Sequence, residues 1–157
     1  MDNIICGNGS DEILSLFANC FAGEGDEIVY SEHGFLVYPI ATKAAGATPV
    51  VAKEKKYKAD VEEIINVCTN KTKVCFIANP NNPTGTYLNR NQLITLRKKL
   101  PKSCLLVIDS AYAEYVEKDD YTSGFELVNK FNNVACTRTF SKIYGLAALR
   151  IGWAYAS

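Results

Sequence analysis

A lysine beside small hydroxyl residues is the feature of this sequence best suited to chemistry. The segment reads Thr139-Phe140-Ser141-Lys142, and an arginine follows at Arg150. A lysine amine forms Schiff bases with carbonyl compounds, while hydroxyl groups and a guanidinium together can hold a phosphate dianion. The segment suits a lysine that carries a phosphorylated cofactor covalently, although a Ser-Lys pair alone is also typical of a solvated helix start.

A glycine-rich segment near the N-terminus is a second candidate for anion binding. Residues 7–10 read Gly-Asn-Gly-Ser and lead into a helical pattern. The two glycines allow tight backbone turns, and the helix start offers unpaired N–H groups to an anion. Asp11 and Glu12 complement the helix dipole, yet their charges oppose a nearby phosphate unless the side chains point away. An ordinary capped helix explains the segment equally well. It lacks the third glycine of a dinucleotide site and the Gly-Lys-Ser/Thr of a Walker loop.

Further polar positions follow other strand-like runs. Residues 79–85 read Asn-Pro-Asn-Asn-Pro-Thr-Gly, a dense turn sequence from which Asn82 could direct its amide at a ligand. Asp109 ends a strongly hydrophobic run, where a carboxylate needs a partner. It either caps the next segment or faces a protonated heterocyclic nitrogen and keeps it charged. Tyr112, a little further along the chain, could donate its phenolic proton beside it.

Two aromatic residues follow the second strand-like run. Phe35 and Tyr38 lie in the segment 33–38, and either ring could stack on a flat ligand. Packing in the core is the alternative for each of them.

Composition narrows the class of protein. The 157 residues are 48% hydrophobic and 22% charged, which fits about one soluble globular domain. The 17 basic and 17 acidic residues give no net charge, which argues against a nucleic-acid binder. No apolar run approaches the roughly 20 residues that cross a bilayer, and no signal peptide is visible.

The cysteines and the single histidine indicate neither a disulfide framework nor a metal site. None of the six cysteines forms a C-x-x-C pair, and most stand in apolar runs, so we expect buried, reduced thiols in a cytoplasmic protein. His33 has no second histidine with which to bind zinc.

Strand and helix patterns alternate along the chain. Short apolar or β-branched runs predict strands at 3–6, 27–30, 48–52, 73–78, 104–109, 134–138 and 151–156. Amphipathic stretches predict helices at 10–21, 60–67, 89–100 and 124–131, with Asp60 and Asn89 as N-caps. In the first helix the predicted buried face is Ile13, Leu14, Phe17, Cys20 and Phe21.

This alternation predicts a three-layer α/β/α fold around a mostly parallel sheet. Ligands of such sheets bind at the carboxyl ends of the strands. The glycine-rich segment, the turn with Asn82, Asp109 and Lys142 all follow predicted strands, so we expect them to share one edge of the sheet.

Four motifs in this order resemble the pyridoxal-phosphate-dependent aminotransferases of the aspartate aminotransferase fold type. They are G-N-G-S-D-E-I, N-P-N-N-P-T-G, D-S-A-Y-A-E-Y and T-F-S-K-x-Y-G-L-A-A-L-R-I-G. The resemblance covers essentially the whole chain and is greatest to the histidinol-phosphate aminotransferase branch. It implies the seven-stranded large domain of that family over residues 1–157, without the N-terminal arm and the C-terminal small domain.

The resemblance also implies a role for each site residue. Lys142 would hold pyridoxal 5′-phosphate covalently and act as base and acid, Asp109 would pair with the pyridine nitrogen, and Phe35 would stack on the ring, with Tyr38 a weaker candidate. Tyr112 and Asn82 would bind the phenolic oxygen. The phosphate would be bound by residues from three segments: Gly9, Ser10, Asp11, Thr139, Ser141 and Arg150.

The implied reaction transfers an amino group between histidinol phosphate and 2-oxoglutarate, and the family resemblance further implies a homodimer. Because the arginine that grips a substrate carboxylate lies in the absent small domain of such enzymes, we expect the chain alone to transaminate poorly or not at all. Three alternatives stay open: a decarboxylase or lyase on the same scaffold, a non-catalytic sensing domain or remnant, and a flavodoxin-like nucleotide-binding module.

Overall fold

The structure is a computed structural model that describes residues 3–157. Its nine strands within these residues are β1 Ile4–Asn8, β2 Glu27–Ser31, β3 Thr48–Ala52, β4 Glu54–Lys55, β5 Lys58–Ala59, β6 Thr72–Ala78, β7 Leu105–Asp109, β8 Val134–Thr139 and β9 Ile151–Ala156. The α-helices are α1 Gly9–Phe21, α2 Val37–Ala44, α3 Val61–Val67, α4 Arg90–Lys99 and α5 Phe125–Lys130. Two short 3₁₀ helices span Ala113–Tyr115 and Ala147–Leu149.

Seven of the strands form one sheet in the order β1-β9-β8-β7-β6-β2-β3. The pairs β2–β3, β2–β6, β6–β7 and β7–β8 are parallel, whereas β9 runs antiparallel to both β1 and β8. The predicted mostly parallel seven-stranded sheet is therefore confirmed, and each predicted strand agrees with an observed one to within two residues. The remaining strands, β4 and β5, form a small separate hairpin.

The sheet separates two hydrophobic cores, because the central strands are apolar on both faces. One core gathers Val29, Cys75, Ile77, Leu106 and Ile108 with α3, α4 and α5. The other gathers the alternate residues of the same strands with α1 and α2. Every residue of β7 is buried, including the aspartate at its end.

Both predicted N-caps are present in the structure. The carboxylate of Asp60 accepts the backbone N–H groups of Glu62 and Glu63 at 3.0 Å. Asn89 and Gln92 form a reciprocal capping box at the start of α4. These contacts satisfy backbone donors that have no partner within the helix.

The structure differs from the sequence-based expectation in several local features. No helix is predicted over Val37–Ala44, yet α2 forms there; Pro39 lies in its first turn, where a missing N–H costs nothing. Strand β1 continues through Asn8 and α1 begins at Gly9, so the predicted glycine-rich loop is a direct strand-to-helix junction. The β4–β5 hairpin is also absent from the predicted strands, because its strands of two residues are too short to show alternation.

The expected burial of α1 and of the cysteines holds only in part. Ile13, Leu14 and Phe17 are buried as predicted. Cys20 and Phe21, in the last turn of α1, are exposed. Cys6, on the edge strand β1, is exposed as well.

The other thiols follow the expectation more closely. Three cysteines are buried, namely Cys75, Cys104 and Cys136, and Cys68 is partly exposed; all six are free. Burial raises the pKa of the Cys136 thiol to about 12, which keeps it protonated and unreactive.

The parallel strands bring their carboxyl ends to one edge of the sheet, and β9 begins at that edge because it runs the other way. The junction before α1, the turn after β6, Asp109 and the segment after β8 all lie at this edge. None of the helices described in residues 3–157 is long and apolar enough to cross a membrane.

Gly152 allows β9 to approach the start of α1 closely. A Cβ atom at Gly152 would lie 2.3 Å from the backbone nitrogen of Ser10 and 2.4 Å from the carbonyl carbon of Gly9. Both contacts are to backbone, so neither can be relieved by a side-chain rotation.

We therefore expect Gly152→Ala to lower the free energy of unfolding by about 1–3 kcal/mol, the cost of overpacking a filled site. Urea unfolding followed by circular dichroism measures this change. Gly23→Ala is the matched control, since a Cβ there meets no atom within 4 Å and should change stability by less than about 0.5 kcal/mol. Equal stability of the two variants would contradict the close approach.

Candidate active site

One cleft at the carboxyl edge of the sheet collects nearly every residue that the sequence singled out. It holds about 530 Å³ of space free of protein atoms, a volume that includes the open solvent at its mouth. Its lining includes ten of the eleven predicted site residues: Ser10, Asp11, Phe35, Asn82, Asp109, Tyr112, Thr139, Ser141, Lys142 and Arg150. Ala78, Pro80 and Ala111 complete the wall. Their individual roles stay predictions.

Asp109 lies at the base of the cleft and is only 5% exposed. Its Oδ2 accepts a hydrogen bond from the phenol of Tyr38 at 3.0 Å, and its Oδ1 accepts one from the hydroxyl of Thr137 at 3.0 Å. Burial raises the pKa of Asp109, while these two hydrogen bonds and one from the backbone of Ala111 oppose the rise. Asp109 thus has a hydrogen-bonding partner for each oxygen, as predicted for an aspartate at such a position.

The hydrogen-bonding partners of Asp109 are neutral. Within residues 3–157 no lysine, arginine or histidine forms an ion pair with it. A buried carboxylate without a counter-ion is unfavourable, and a cationic group bound in the cleft would relieve the cost. The carboxylate therefore fits the protonated nitrogen of a heterocyclic ligand.

Arg150 marks the anion-binding side of the cleft. Its guanidinium donates to the Ser141 hydroxyl at 3.3 Å, to the Ala147 carbonyl at 3.0 Å and to the Asn8 carbonyl at 3.4 Å. Its nearest carboxylate is Asp11 at 3.9 Å, and both side chains are about half exposed, so this pair is weak. The guanidinium is oriented and still able to bind an anion.

The backbone around Arg150 ties this side chain to the first helix. Arg150 has φ of 50°, a left-handed conformation that costs a non-glycine residue energy, and its carbonyl accepts the N–H of Gly9 at 2.9 Å. Gly9 itself does not line the cleft. A Cβ there would lie 2.3 Å from Nη2 of Arg150, so Gly9 leaves space for the guanidinium. The predicted phosphate contact of Gly9 stays a prediction.

The carboxylate of Glu12, at the start of α1, is hydrogen-bonded to Asn8. Glu12 accepts the backbone N–H of Asn8 at 2.7 Å and its side-chain amide at 3.2 Å. The pKa of Glu12 is lowered mainly by the hydrogen bond from the Asn8 backbone and further by the one from the Asn8 side chain. Ser10 and Asp11 belong to the first helical turn, whose N–H groups have no partner within the helix. The carboxylate of Glu12 is thus used locally.

Lys142 lies above the ring of Tyr112, with its Nζ 5.1 Å from the ring centroid, a distance at which a cation is attracted to an aromatic face. The turn before it is fixed by Thr139, whose hydroxyl accepts the N–H of Ser141 at 3.1 Å. Thr139 is buried, whereas Lys142 is exposed at the cleft mouth. The amine therefore shares one cleft with the carboxylate of Asp109 and with the guanidinium of Arg150.

The loop that carries Asn82 is held by a buried asparagine at its base. Asn79 is fully buried; its side-chain oxygen accepts the Leu88 N–H at 2.7 Å, and its side-chain amide donates to the Leu88 carbonyl at 3.1 Å. The phenol of Tyr121 donates to the Asn79 carbonyl at 2.7 Å. These contacts hold the base of the loop, and Asn82 further along it lines the cleft.

The two aromatic candidates occupy different places. Phe35 lines the cleft, as expected for a ring that stacks on a flat ligand. Tyr38 is fully buried and lies behind Asp109, so the weaker expectation that Tyr38 stacks on a ligand is wrong. The sequence pattern does not predict helix α2, so it does not predict the direction of the Tyr38 side chain either.

Sequence reasoning missed Thr137 and Gly152 as contributors to the site, and it gave Tyr38 a stacking role instead of its contact with Asp109. Thr137 stands in the middle of a buried strand, where a threonine is also an ordinary strand residue. Gly152 belongs to the R-I-G end of the fourth motif, and a glycine inside a predicted strand is a recognised sign of close backbone approach. The glycine inside the predicted strand 151–156 could therefore have identified Gly152 as a position of close backbone approach.

The chain matches the family "Aminotransferase class I and II" over residues 1–157. It is 54% identical to the histidinol-phosphate aminotransferase of Rhodospirillum centenum over 97% of its own length, and 56% identical to that of Rhodopseudomonas palustris over 98%. These matches confirm the family resemblance that the four motifs indicate.

Solved structures agree with this result. The histidinol-phosphate aminotransferase of Sinorhizobium meliloti, determined in complex with pyridoxal-5′-phosphate, superposes with a TM-score of 0.90 at 30% identity over 98% of this chain and 42% of that one. The L-threonine-O-3-phosphate decarboxylase of Porphyromonas gingivalis also superposes, covering 99% of this chain and 45% of that one, with a TM-score of 0.81. At 22% identity, that likeness shows the fold alone.

The chain spans only part of these proteins. It covers 42% of the length of each of the two curated relatives. The matched segment therefore corresponds to less than half of each of these enzymes.

Removing the side chain of Asn79 should destabilise the loop that carries Asn82. Asn79→Ala leaves the buried Leu88 N–H without its acceptor, so we expect the free energy of unfolding to fall by roughly 2 kcal/mol. Urea unfolding measures the change. Asn91→Ala is the control, because Asn91 is exposed on α4 and alanine favours helix there. A loss no larger than that of the control would show that the Asn79 contacts do not hold the loop.

Proposed function

The chain belongs to the class I and II aminotransferase family, and we propose that it is the cofactor-binding large domain of a histidinol-phosphate aminotransferase. The reaction proposed for the whole enzyme converts histidinol phosphate and 2-oxoglutarate into imidazole acetol phosphate and glutamate. The observation that carries the proposal is the convergence of Lys142, Asp109 and Arg150 on one cleft. The identity of more than 50% to two histidinol-phosphate aminotransferases supports the choice of substrate.

The residues of the cleft fit pyridoxal 5′-phosphate as the cofactor. The buried carboxylate of Asp109, which has no cationic partner in the part of the chain that the structure describes, suits a protonated pyridine nitrogen. The aromatic ring of Phe35 suits the face of the pyridine. Arg150, Ser141 and the first turn of α1 form an anion site that suits the phosphate. Asn82 and Tyr112 supply hydrogen-bond donors for the phenolic oxygen between these two ends.

When bound, the cofactor withdraws electrons from the Cα–H bond of an amino substrate. The residues of this chain then divide the remaining work. Asp109 keeps the ring nitrogen protonated, because its negative charge stabilises the positive charge on the ring. The Lys142 amine would hold the cofactor covalently between turnovers. Once the amino group of the substrate has displaced it, the free amine would take the proton from the substrate Cα and return it as an acid.

Other properties of the whole enzyme belong to the same proposal. The family resemblance supports a homodimer, in which a second copy and further segments of chain would surround the cleft. It also supports a cytoplasmic location. Several apolar side chains near the cleft are exposed in this chain and are available for such contacts: Leu36, Ile143, Leu146, Leu149 and Ile151. The small molecules bound would be an amino donor and a 2-oxo acid, with no role for nucleic acid or membrane.

The alternatives have less support. The cofactor residues alone do not distinguish a transaminase from a decarboxylase or a lyase, but both curated relatives are aminotransferases. A flavodoxin-like module would not require Lys142 or a covalently bound ligand. We therefore propose neither of these, nor a non-catalytic sensing domain.

Covalent attachment of the cofactor at Lys142 tests the proposal directly. Pyridoxal phosphate is added to the purified chain, absorbance is recorded, and borohydride reduction followed by peptide mapping locates the label. We expect the label on Lys142 and its loss in Lys142→Ala, because no other lysine lines the cleft among the described residues. Lys53→Ala, at an exposed position, should label as the unsubstituted chain does; labelling spread equally over surface lysines would contradict the proposal.

The isolated chain should bind the cofactor and yet fail to sustain turnover. It spans 42% of its relatives, so part of the substrate site expected from the family is missing. We expect no steady formation of glutamate from histidinol phosphate and 2-oxoglutarate, although histidinol phosphate should alter the spectrum of the bound cofactor more than aspartate does. Steady turnover by this chain would show that the missing segments are not needed.

A further inference from the structure

We propose that Tyr38 is a positioning residue that holds Asp109 as a carboxylate directed into the cleft and at the same time supports the ring of Phe35. The inference rests on the proposed function, because it concerns how the site is prepared for a cationic cofactor ring. Tyr38 itself does not line the cleft, and its role is exerted through the two residues that do.

The contact between Tyr38 and Asp109 is buried and direct. The Tyr38 phenol donates to Oδ2 of Asp109 at 3.0 Å, while Thr137 donates to Oδ1 at 3.0 Å. Tyr38 is completely inaccessible and Asp109 is 5% exposed, so water cannot replace a lost donor without opening the core. Two donors, one to each oxygen, fix the plane of the carboxylate and favour its ionised form.

Tyr38 is itself held rigidly by neighbouring rings and by the helix. Its ring stacks on that of Phe76 at a centroid distance of 5.0 Å and an angle of 8°. The ring of Phe35 meets it edge-on, at 6.0 Å and 89°. The Tyr38 carbonyl accepts the hydroxyl of Thr42 at 2.7 Å. One side chain therefore contacts both the group that would face the ring nitrogen and the ring that would lie against the cofactor face.

The electrostatics give the phenol a specific task. Burial raises the pKa of Asp109 and so favours its neutral acid, which could not keep a pyridine nitrogen protonated. Burial raises the pKa of Tyr38 as well, and the negative charge of Asp109 raises it further. The phenol therefore remains a proton donor. Removing the phenol would leave the buried carboxylate with Thr137 and one backbone N–H, and its pKa would move further upward.

Other ionisable groups face this pair from four further parts of the chain: Asp11, Cys75, Tyr112, Lys142 and Arg150. Asp11 raises the pKa of Asp109 by charge repulsion. None of these residues is altered when the Tyr38 hydroxyl alone is removed, so a comparison of single variants isolates the effect of the phenol.

The first test measures the ionisation of Asp109 without any cofactor. Carbon-13 NMR of the aspartate carboxyl carbons is recorded against pH in the apo chain, and the Asp109 resonance is assigned with Asp109→Asn. In Tyr38→Phe, which keeps the packed ring, Asp109 should lose its proton at a higher pH than in the unsubstituted chain. Tyr30→Phe is the matched control, because Tyr30 is buried and its ring lies 6.2 Å from that of Tyr38, yet it is not a side-chain partner of Asp109 among the described residues.

The second test measures the affinity for pyridoxal phosphate as a function of pH. Near neutral pH the affinity of Tyr38→Phe should be roughly tenfold lower, the order expected when a hydrogen bond to a charged group is lost. The deficit should shrink as the pH rises, because alkali ionises Asp109 without the phenol. A merely structural defect would weaken binding equally at every pH.

The outcomes separate this inference from the proposed function. If Asp109 titrates identically in the two tyrosine variants, or the affinity deficit is independent of pH, the positioning role of Tyr38 is wrong. If the NMR titration shifts as expected but the unsubstituted chain binds no cofactor, the role of Tyr38 stands and the proposed function fails.

Discussion

The site depends on a carboxylate that is buried at the end of a parallel strand and forms no ion pair with any residue of 3–157. Asp109 ends β7, the central strand in the order of the sheet, and its protein partners are hydroxyl groups and a backbone N–H. Such an arrangement is unfavourable for the free energy of folding, since burying a neutral side chain there would need less desolvation energy. It becomes favourable when a cation occupies the cleft, so the arrangement is better explained by ligand binding than by stability.

The anion-binding end of the cleft depends on a second constraint, the close approach of the backbone at 150–152 to the backbone at the start of α1. Gly152 brings β9 against the start of α1, and Gly9 leaves space for the guanidinium of Arg150. Arg150 adopts a left-handed conformation while its carbonyl accepts the N–H of Gly9. These contacts between the start of α1 and residues 150–152 therefore orient the groups that would bind a phosphate.

Much of the site could be read from local patterns. The residues that line the cleft follow strands whose apolar runs are unmistakable, and the rule that ligands bind at the carboxyl edge of a parallel sheet brings those strand ends together. Prediction failed for a residue that does not line the cleft and acts only through a lining residue. Tyr38 stands on a helix that starts without a side-chain cap and contains Pro39, so neither its helical state nor its direction toward Asp109 is visible in the sequence.

The sequence by itself determined the fold class, the family and the identity of the groups able to do chemistry, because strand burial and motif spacing are local properties of the chain. Only the tertiary structure decided which oxygen of Asp109 each donor meets, that Tyr38 lies behind the carboxylate while Phe35 lines the cleft, and that Gly9 serves the guanidinium of Arg150. These are contacts between residues 28 to 141 positions apart. Their distances and angles depend on how the helices pack on the sheet, which the pattern of any one segment does not contain.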